Sequence, residues 1–247
     1  MEYMYEPANR NFEDFASGRV LYNAHGTTAF PVRLASEIVQ RCFQLLVKKG
    51  AAQPYTLYDP CCGGAYWLAV LGLLHGRSLR RILASDINQN LLGIAEKNLS
   101  LLTEVGMNNR ISELSTYIQQ YGKTSHQDAL QSADRLSRLL TDSCLEETFC
   151  FQADITKPDG LDERCRHVNI VMADLPYGNI VDWSGGQADP LQRLFDHIRG
   201  VLEPSAAVVA IVADKSQKLQ HDSYRRLQYF KIGKRHVGIF EPISSAF

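Results

Sequence analysis

The stretch Asp59-Pro60-Cys61-Cys62-Gly63-Gly64-Ala65 decides the fold. It stands between a short apolar run, Tyr55 to Tyr58, and an apolar helical pattern, Tyr66 to His75. Small residues between the end of a strand and the start of a helix let the backbone pass close to a ligand, and the first amides of the helix then face that ligand. The stretch therefore predicts a strand-turn-helix unit whose turn holds a nucleotide-like cofactor.

Further apolar runs alternate with helical patterns and extend this unit into a parallel sheet. These strand candidates are Arg81 to Ser85, Thr148 to Ala153, Val168 to Ala173 and Ala206 to Ala213. Two last runs, Tyr229 to Ile232 and Val237 to Phe240, are separated by Gly233 to His236 and predict an antiparallel hairpin. The predicted fold is therefore α/β, with a Rossmann-like, doubly wound, seven-stranded sheet that resembles the class I methyltransferase architecture.

Two additions flank the predicted sheet. Residues 1–50 form an N-terminal helical extension, in which Pro31 starts an amphipathic helix. Residues 51–247 form the main domain, and its polar stretch from about 106 to 144 is too long for a usual crossover. We expect this stretch to be a helical insertion with at least one helix of its own.

Composition narrows the class of protein. The chain has 247 residues, 45% of them hydrophobic and 21% charged, and a formal net charge of -1. No run approaches the roughly 18 apolar residues that a membrane span needs, and the polar N-terminus lacks the pattern of a secretory signal. The six cysteines lack the paired spacing of zinc sites, so we expect free thiols and no metal. These features favour a cytoplasmic protein with no membrane partner, and they leave the oligomeric state open.

Four aspartates follow predicted strands: Asp59, Asp86, Asp154 and Asp174. Each alone is an ordinary turn or helix-capping residue. Together they lie at the carboxyl ends of parallel strands, which form the ligand-binding edge of an open α/β sheet. A nicotinamide enzyme would favour a cleaner G-x-G-x-x-G turn than this chain has. The pattern therefore favours S-adenosylmethionine as the cofactor.

The fourth predicted strand ends in Asp174-Leu175-Pro176-Tyr177-Gly178. The Asp174 carboxylate and the Leu175 carbonyl are placed to accept hydrogen bonds from a target amine, Pro176 stiffens the loop, and Tyr177 offers a ring on which an extruded base stacks. An ordinary strand-ending turn is the alternative interpretation. The pentapeptide resembles the (Asp/Asn/Ser)-Pro-Pro-Tyr motif of methyltransferases that act on adenine N6, guanine N2 or glutamine amides, with Leu175 in place of the first proline.

Several longer strings resemble the AviRa-type avilamycin-resistance ribosomal RNA methyltransferases over about Phe30 to Ile239. The resemblance implies S-adenosylmethionine as cofactor and methylation of a guanine in large-subunit ribosomal RNA. Where that family continues Gly-Ser-Gly, this chain has Gly63-Gly64-Ala65, which suggests an extra methyl group beside the cofactor. The strings are Ala29-Phe30-Pro31-Val32-Arg33-Leu34-Ala35, Asp59-Pro60-Cys61-Cys62-Gly63, Val70-Leu71-Gly72-Leu73-Leu74-His75, Arg77-Ser78-Leu79-Arg80, Ala84-Ser85-Asp86 and Asp174-Leu175-Pro176-Tyr177-Gly178.

The resemblance implies a role for each motif position. Asp59 and Gly63 line the methionine part of the cofactor, Asp86 binds the ribose and Asp154 the adenine edge, while Asp174 and Tyr177 meet the target. The full set of predicted cofactor-binding residues is Arg33, Asp59, Cys61, Gly63, Asp86, Ile87, Asp154 and Ile155. Arg33 is included because its position in the first turn of the leading helix would let it reach the cofactor carboxylate by a bidentate contact, although a surface arginine is an equal alternative.

Positive charge is concentrated near the C-terminus, after the fifth predicted strand. The predicted RNA-binding residues are Lys215, Lys218, Arg225, Arg226, Lys234 and Arg235. A solvated surface is the alternative interpretation of this cluster. Two other functions also remain open from the sequence: methylation of a protein amide or small amine, and a degenerate RNA-binding module that has lost catalysis.

Overall fold

The computed structural model describes residues 3–23, 29–157, 161–175, 190–214 and 217–243. Within these ranges six helices and seven strands alternate much as the hydrophobic pattern predicts. The helices are α1 (Val32–Lys48), α2 (Tyr66–His75), α3 (Gln89–Ser100), α4 (Glu104–Tyr121), α5 (Thr124–Ser137) and α6 (Pro190–Arg199). The strands are β1 (Tyr55–Asp59), β2 (Leu79–Asp86), β3 (Glu147–Gln152), β4 (Ile170–Asp174), β5 (Val208–Asp214), β6 (Tyr224–Ile232) and β7 (Arg235–Pro242).

The seven strands form one sheet in the order β3-β2-β1-β4-β5-β7-β6. The strands β1 to β5 run parallel, and β7 pairs antiparallel with both β5 and β6. The chain therefore builds outward from β1 to β3, returns to the other side of β1, and ends in the predicted hairpin. The predicted α/β fold with a doubly wound, seven-stranded sheet is confirmed.

Alternate residues along each strand pack on opposite faces of the sheet. Leu57 and Ile82 belong to the core beneath α1, α2 and α3, whereas Tyr58 and Leu83 belong to the core beneath α6. The central strand β1 is buried along its whole length. Burial on both faces explains why the inner strands read as continuous apolar runs.

The insertion contains two helices, where the sequence indicated at least one. The first, α4, begins at Glu104, two residues before the predicted start, and is capped by the Thr103 hydroxyl, which accepts the Gly106 N–H at 3.0 Å. Both insertion helices pack against each other and α5 also contacts residues near the N-terminus. The division of the chain into domains at residue 50 stays a prediction, while α1 itself contributes to the same core as the sheet.

All seven strands differ from the prediction by at least one residue at one end, and the differences are largest in the hairpin. Val168 forms only an isolated bridge with Leu202, so β4 begins at Ile170. The hairpin strands are longer than predicted, because β6 already begins at Tyr224 and β7 at Arg235. Exposed charged residues on β6 hid its first half from a hydrophobic pattern. No described helix has the length and apolar character needed to cross a membrane.

Candidate functional site

The site lies where the strand order reverses, between the carboxyl ends of β1 and β4. Ligands of open α/β sheets bind in the crevice at such a reversal. Asp59 ends β1, and its buried carboxylate accepts hydrogen bonds from the Cys61 N–H at 2.9 Å and from the Trp67 indole N–H. These two bonds hold the loop over residues 60–64 and the first turn of α2 around one carboxylate.

Asp86, at the end of β2, fixes the other side of this loop. Its carboxylate accepts the Gly63 N–H at 2.8 Å through one oxygen and the Asn88 N–H at 2.8 Å through the other. Each carboxylate oxygen has two lone pairs, so both oxygens keep the capacity to accept a further hydrogen bond. Asp86 is therefore positioned beside the glycine loop with capacity for ligand hydroxyls, while the neighbouring Ile87 is half exposed.

Ala65 adopts a left-handed backbone conformation, with φ 53° and ψ 28°, at the N-cap of α2. Its N–H donates to the Cys62 carbonyl at 2.8 Å, and its side chain is fully buried in the core. The sequence-based expectation of a methyl group beside the cofactor is therefore wrong. The methyl group packs into the core, and the cost of this residue is backbone strain, because side chains disfavour positive φ.

Asp154 and Ile155 follow β3 and form a tight turn. One Asp154 oxygen accepts hydrogen bonds from the Thr156 N–H at 3.0 Å and the Thr156 hydroxyl at 2.6 Å. Ile155 is buried, and its carbonyl lies 2.7 Å from His197 Nδ1 on α6. Both residues reach the same sheet edge as Asp59 and Asp86, but neither lines the cleft described next.

A cleft opens at this edge between the glycine loop and the residues that precede α1. Four aromatic side chains, Tyr22, Phe30, Tyr66 and Trp67, form much of its wall, and the Phe30 and Trp67 rings lie 4.8 Å apart. The lining residues are Ser17, Tyr22, Ala29, Phe30, Asp59, Cys61, Cys62, Gly63, Gly64, Tyr66, Trp67 and Asp174. An aromatic cleft that also contains one buried and one partly exposed carboxylate suits a ligand with both a flat ring and positive charge.

The electrostatics of the cleft favour a cation. Burial, together with the smaller effect of the nearby negative charges of Asp86 and Asp174, raises the pKa of Asp59 to about 8 against the hydrogen bonds from Cys61 and Trp67. The described lining residues include two carboxylates and neither lysine nor arginine. A positively charged ligand would therefore stabilise the ionised form of Asp59. Among the described residues, no group of three or more histidine, cysteine, aspartate or glutamate side chains could hold a metal ion.

The Asp174-Leu175-Pro176-Tyr177-Gly178 motif begins within this cleft. Asp174 ends β4 and lines the cleft, while Leu175 is buried and donates its N–H to the Val212 carbonyl at 2.9 Å. The pairing of Leu175 with β5 fixes the position of the main chain one residue beyond the end of β4. Pro176 and Tyr177 lie outside the described residues, so their predicted roles stay predictions.

Arg33 is engaged away from the cleft. Its guanidinium donates to the carbonyls of Glu6, at 2.7 and 2.9 Å, and Pro7, at 3.0 Å, and lies over the Tyr3 ring. These contacts dock the N-terminal segment, defined here as residues 3–23, on the start of α1. The predicted contact of Arg33 with the cofactor carboxylate is replaced by this structural role, which no local pattern indicated.

Eight of the twelve residues that line the cleft were not predicted as site residues from the sequence, among them Tyr22, Phe30 and Trp67. A further residue, Asn98 on α3, is fully buried beneath them. The Asn98 side chain donates to the Gly64 carbonyl at 2.7 Å and the Tyr22 carbonyl at 3.0 Å, and accepts the Tyr22 N–H at 2.8 Å. Trp67 could have been found from the sequence, because it lies in the first helical turn after a glycine loop. No sequence pattern marks Asn98, because a single asparagine within a helix is common.

The predicted RNA-binding residues separate into two groups. Arg225 lies at the opposite sheet edge from Asp174, where it pairs with Glu241, so its predicted place beside the site is wrong. Arg235 lies at the carboxyl edge, opposite Asp214 in the register, with its guanidinium 5.3 Å from the Phe30 ring centroid. Lys234, in the hairpin turn, and Lys218 are exposed, Arg226 lies on β6, and Lys215 lies outside the described residues.

A family model described as the rRNA methyltransferase AviRa matches residues 1–235. The chain belongs to this family. The 23S rRNA (guanine(2535)-N(1))-methyltransferase of Streptomyces viridochromogenes is 40% identical over 230 residues, which cover 90% of this chain and 88% of that protein. Membership in the AviRa family makes the protein an rRNA methyltransferase and favours RNA over the amide and amine substrates left open above.

Solved structures agree with the family assignment. A structure of AviRa from Streptomyces viridochromogenes at 1.5 Å has a TM-score of 0.86 and 36% identity, and covers 97% of this chain and 96% of that chain. The structure of a putative class I S-adenosylmethionine-dependent methyltransferase from Listeria monocytogenes has a TM-score of 0.52 and 13% identity over 89% of this chain and 64% of that chain. The second likeness supports the class I fold alone.

Proposed function

We propose that this protein transfers a methyl group from S-adenosylmethionine to a guanine of large-subunit ribosomal RNA, at ring nitrogen N1. The observation that carries the proposal is the convergence of Asp59, Asp86 and Asp174 at one sheet edge, where burial, with a smaller contribution from the neighbouring carboxylates, raises the pKa of Asp59. A cofactor with a sulfonium and an ammonium group matches that negative charge. The 40% identical relative, whose name specifies guanine N1, supports the choice of base and atom.

The residues present fit the proposed cofactor. Asp59 and the amides of the glycine loop would hold the methionine part, and Asp86 would accept hydrogen bonds from the ribose hydroxyls. Trp67 and Phe30 would exclude water from the reacting centre. When bound there, S-adenosylmethionine supplies an electrophilic methyl group on a positively charged sulfur.

Asp174 is the proposed catalytic residue. In neutral guanine the N1 lone pair is not free for attack, because N1 carries a proton. We expect the Asp174 carboxylate to accept that proton while N1 forms its bond to the methyl carbon and the carbon–sulfur bond breaks. The Leu175 carbonyl and the Tyr177 ring are proposed to orient the base, as the motif suggests. With ribosomal RNA as substrate, the reaction would take place in the cytoplasm.

The test is transfer of radiolabelled methyl groups from S-adenosylmethionine to protein-free large-subunit ribosomal RNA. We expect the wild-type protein to label the RNA, and nuclease digestion to yield 1-methylguanosine. Asp174→Ala should keep cofactor binding and lose at least about 100-fold in the transfer rate, the scale of a lost general base. Asp134→Ala, which removes an exposed aspartate on α5, serves as the matched control. Unchanged transfer by Asp174→Ala would contradict the proposed role.

A further inference from the structure

Tyr229 is an exposed aromatic residue on the edge strand β6. Among the described residues, the exposed large hydrophobic side chains include two aromatic ones, Tyr229 at 42% and Tyr121 at 61%. Tyr121 lies on the insertion, where its ring contacts Tyr117 and His126. Single exposed apolar residues are common, so exposure alone says little about function.

The Tyr229 ring is held in a fixed orientation. Its hydroxyl lies 3.0 Å from His236 Nδ1, and the two rings meet edge to face with centroids 5.5 Å apart. His236 is buried, and burial, together with the Lys231 and Arg226 charges, lowers its pKa below the usual value. The neutral imidazole therefore anchors the tyrosine from behind. A ring that is already oriented loses little conformational entropy when a flat ligand stacks on it.

Positive charge flanks the same ring. The Arg226 guanidinium lies 5.0 Å, and the Lys231 ammonium 6.0 Å, from the Tyr229 ring centroid. Both residues are exposed on β6. An aromatic ring with two adjacent long cationic side chains is the arrangement by which proteins bind single-stranded nucleic acid, because the base stacks on the ring while the cations meet its phosphates.

The sheet register places this ring close to the reacting centre. Tyr229 pairs with Gly238, Gly238 with Ile211, and Ile211 with Ala173, the residue before Asp174. Three strand spacings, about 14 Å, therefore separate Tyr229 from the strand that carries the catalytic aspartate. That distance is the reach of a few nucleotides from the target base.

We propose that Tyr229, Arg226 and Lys231 form a stacking surface for an unpaired nucleotide that flanks the methylated base. The inference rests on the proposed function, because the RNA partner comes from it. The surface holds the substrate strand outside the cleft, so it contributes to RNA affinity rather than to the chemical step. An occupant of another kind, such as a protein partner, is an alternative that the experiment distinguishes.

The test measures binding of a fluorescein-labelled single-stranded 12-nucleotide RNA by anisotropy, with the full-length protein. We expect Tyr229→Ala to weaken RNA binding by about 5- to 100-fold, the measured range for loss of one stacked base. Tyr229→Phe keeps the ring and should bind within about twofold of wild type. Tyr121→Ala is the matched control and should bind as wild type does. Cofactor affinity and melting temperature, measured on the same preparations, identify any variant that fails to fold.

A second measurement does not depend on the aromatic substitutions. Arg226→Gln with Lys231→Gln should reduce the slope of log affinity against log salt by about 1.4, because two phosphate contacts to a single strand are lost. The stacking surface would be overturned if Tyr229→Ala bound RNA with the affinity of the wild type, or if Tyr229→Phe lost as much RNA affinity as Tyr229→Ala. Methyl transfer to ribosomal RNA is measured separately. If the wild type transfers methyl groups and Tyr229→Ala does so with the same kcat/KM, the stacking surface is wrong while the proposed function stands. If the wild type transfers nothing yet binds RNA through Tyr229, the proposed function is wrong while the stacking surface stands.

Discussion

Asp59 is a residue whose ionisation at neutral pH the fold changes. A solvent-exposed aspartate is ionised at neutral pH, but burial raises the pKa of Asp59 to about 8, so the carboxyl group of the free protein is largely protonated at pH 7. The proposed cationic cofactor would favour the ionised form. Binding and deprotonation are therefore coupled, and the coupling can be measured without following catalysis.

We predict that cofactor binding at pH 7 releases about one proton from Asp59. Titration calorimetry in buffers of different ionisation enthalpy measures this release, and affinity should rise between pH 6 and pH 8 as the carboxyl group ionises. Asp59→Asn should bind the cofactor more weakly and show neither the proton release nor the rise. Equal proton release by wild type and Asp59→Asn would assign the proton to another group.

The same pKa shift makes the stability of the free protein fall with pH, whereas it makes cofactor affinity rise with pH. Between about pH 4 and pH 8 the folded protein keeps a proton on Asp59 that the unfolded chain has lost. The contribution of Asp59 to folding therefore falls as pH rises through this range. The cost is greatest in the free protein, and it is removed when a bound cation stabilises the ionised carboxylate.

At the scale of elements, Asn98 links α3 to two segments that are distant in sequence. Its three hydrogen bonds join the Tyr22 backbone to the Gly64 carbonyl and so set the width of the cleft. Asn98 contacts no reacting atom, and its role is to position the glycine loop. Substitution of a residue that only positions the loop should change cofactor binding more than it changes the chemical step.

We predict that Asn98→Ala raises the KM for the cofactor roughly tenfold while kcat changes less than about threefold, because the loop loses its support but Asp174 is untouched. The free energy of unfolding should fall by about 1–3 kcal/mol, since one buried and two partly buried backbone groups lose their partner. Asn109→Ala, an exposed asparagine on α4, is the matched control. A fall in kcat with an unchanged KM would argue against a positioning role.

The elements differ in how well their sequences predicted them. The bounds of α2, Tyr66 to His75, were predicted because a glycine loop precedes a continuous apolar run. The boundary of β4 was missed by two residues, because Val168 is buried without extending the ladder. The second insertion helix was not resolved from the first by the pattern, since most of α5 is polar.

The candidate site shows the same division between local and long-range information. Asp59, Gly63 and Asp86 were predictable because each follows a strand in a recognisable motif. Arg33 and Asn98 were not, because their partners, Glu6 and Tyr22, lie 27 and 76 residues away. Pairings of this kind depend on the path of the N-terminal segment across the surface, which hydrophobic periodicity does not encode.

At the scale of the whole molecule, the N-terminal segment joins the core to the insertion. Asp14 pairs with Arg135 on α5, and the Arg110 side chain on α4 donates to the Val20 carbonyl at 2.9 Å. At its other end, the buried Glu37 carboxylate accepts the N–H groups of Met4, Tyr5 and Glu6 at 2.8 to 3.0 Å. The insertion and the extension, which look like separate additions in sequence, therefore support one wall of the cleft together.

Glu37 gives this assembly a defined response to acid. Burial alone would raise its pKa, but three backbone N–H groups and Arg41 outweigh burial and hold the pKa below its usual value. A depressed pKa stabilises the folded protein above about pH 4.5, and that stabilisation is lost as pH falls through the folded-state pKa. Protonation of Glu37 should therefore release the first residues of the segment before the sheet unfolds.

We predict that Glu37→Gln at neutral pH reproduces this acid release. The neutral amide keeps one acceptor oxygen for four donors, the three backbone N–H groups and Arg41, so the segment should lose about 1–3 kcal/mol of docking free energy. Hydrogen exchange of the amides of residues 4–6 should accelerate accordingly, and cofactor affinity should fall several-fold because Tyr22 and Ser17 line the cleft. Glu13→Gln, which neutralises an exposed glutamate in the same segment, should change neither quantity. Protection of residues 4–6 that survives Glu37→Gln would show that Arg33 and its carbonyl contacts are sufficient to hold the segment in place.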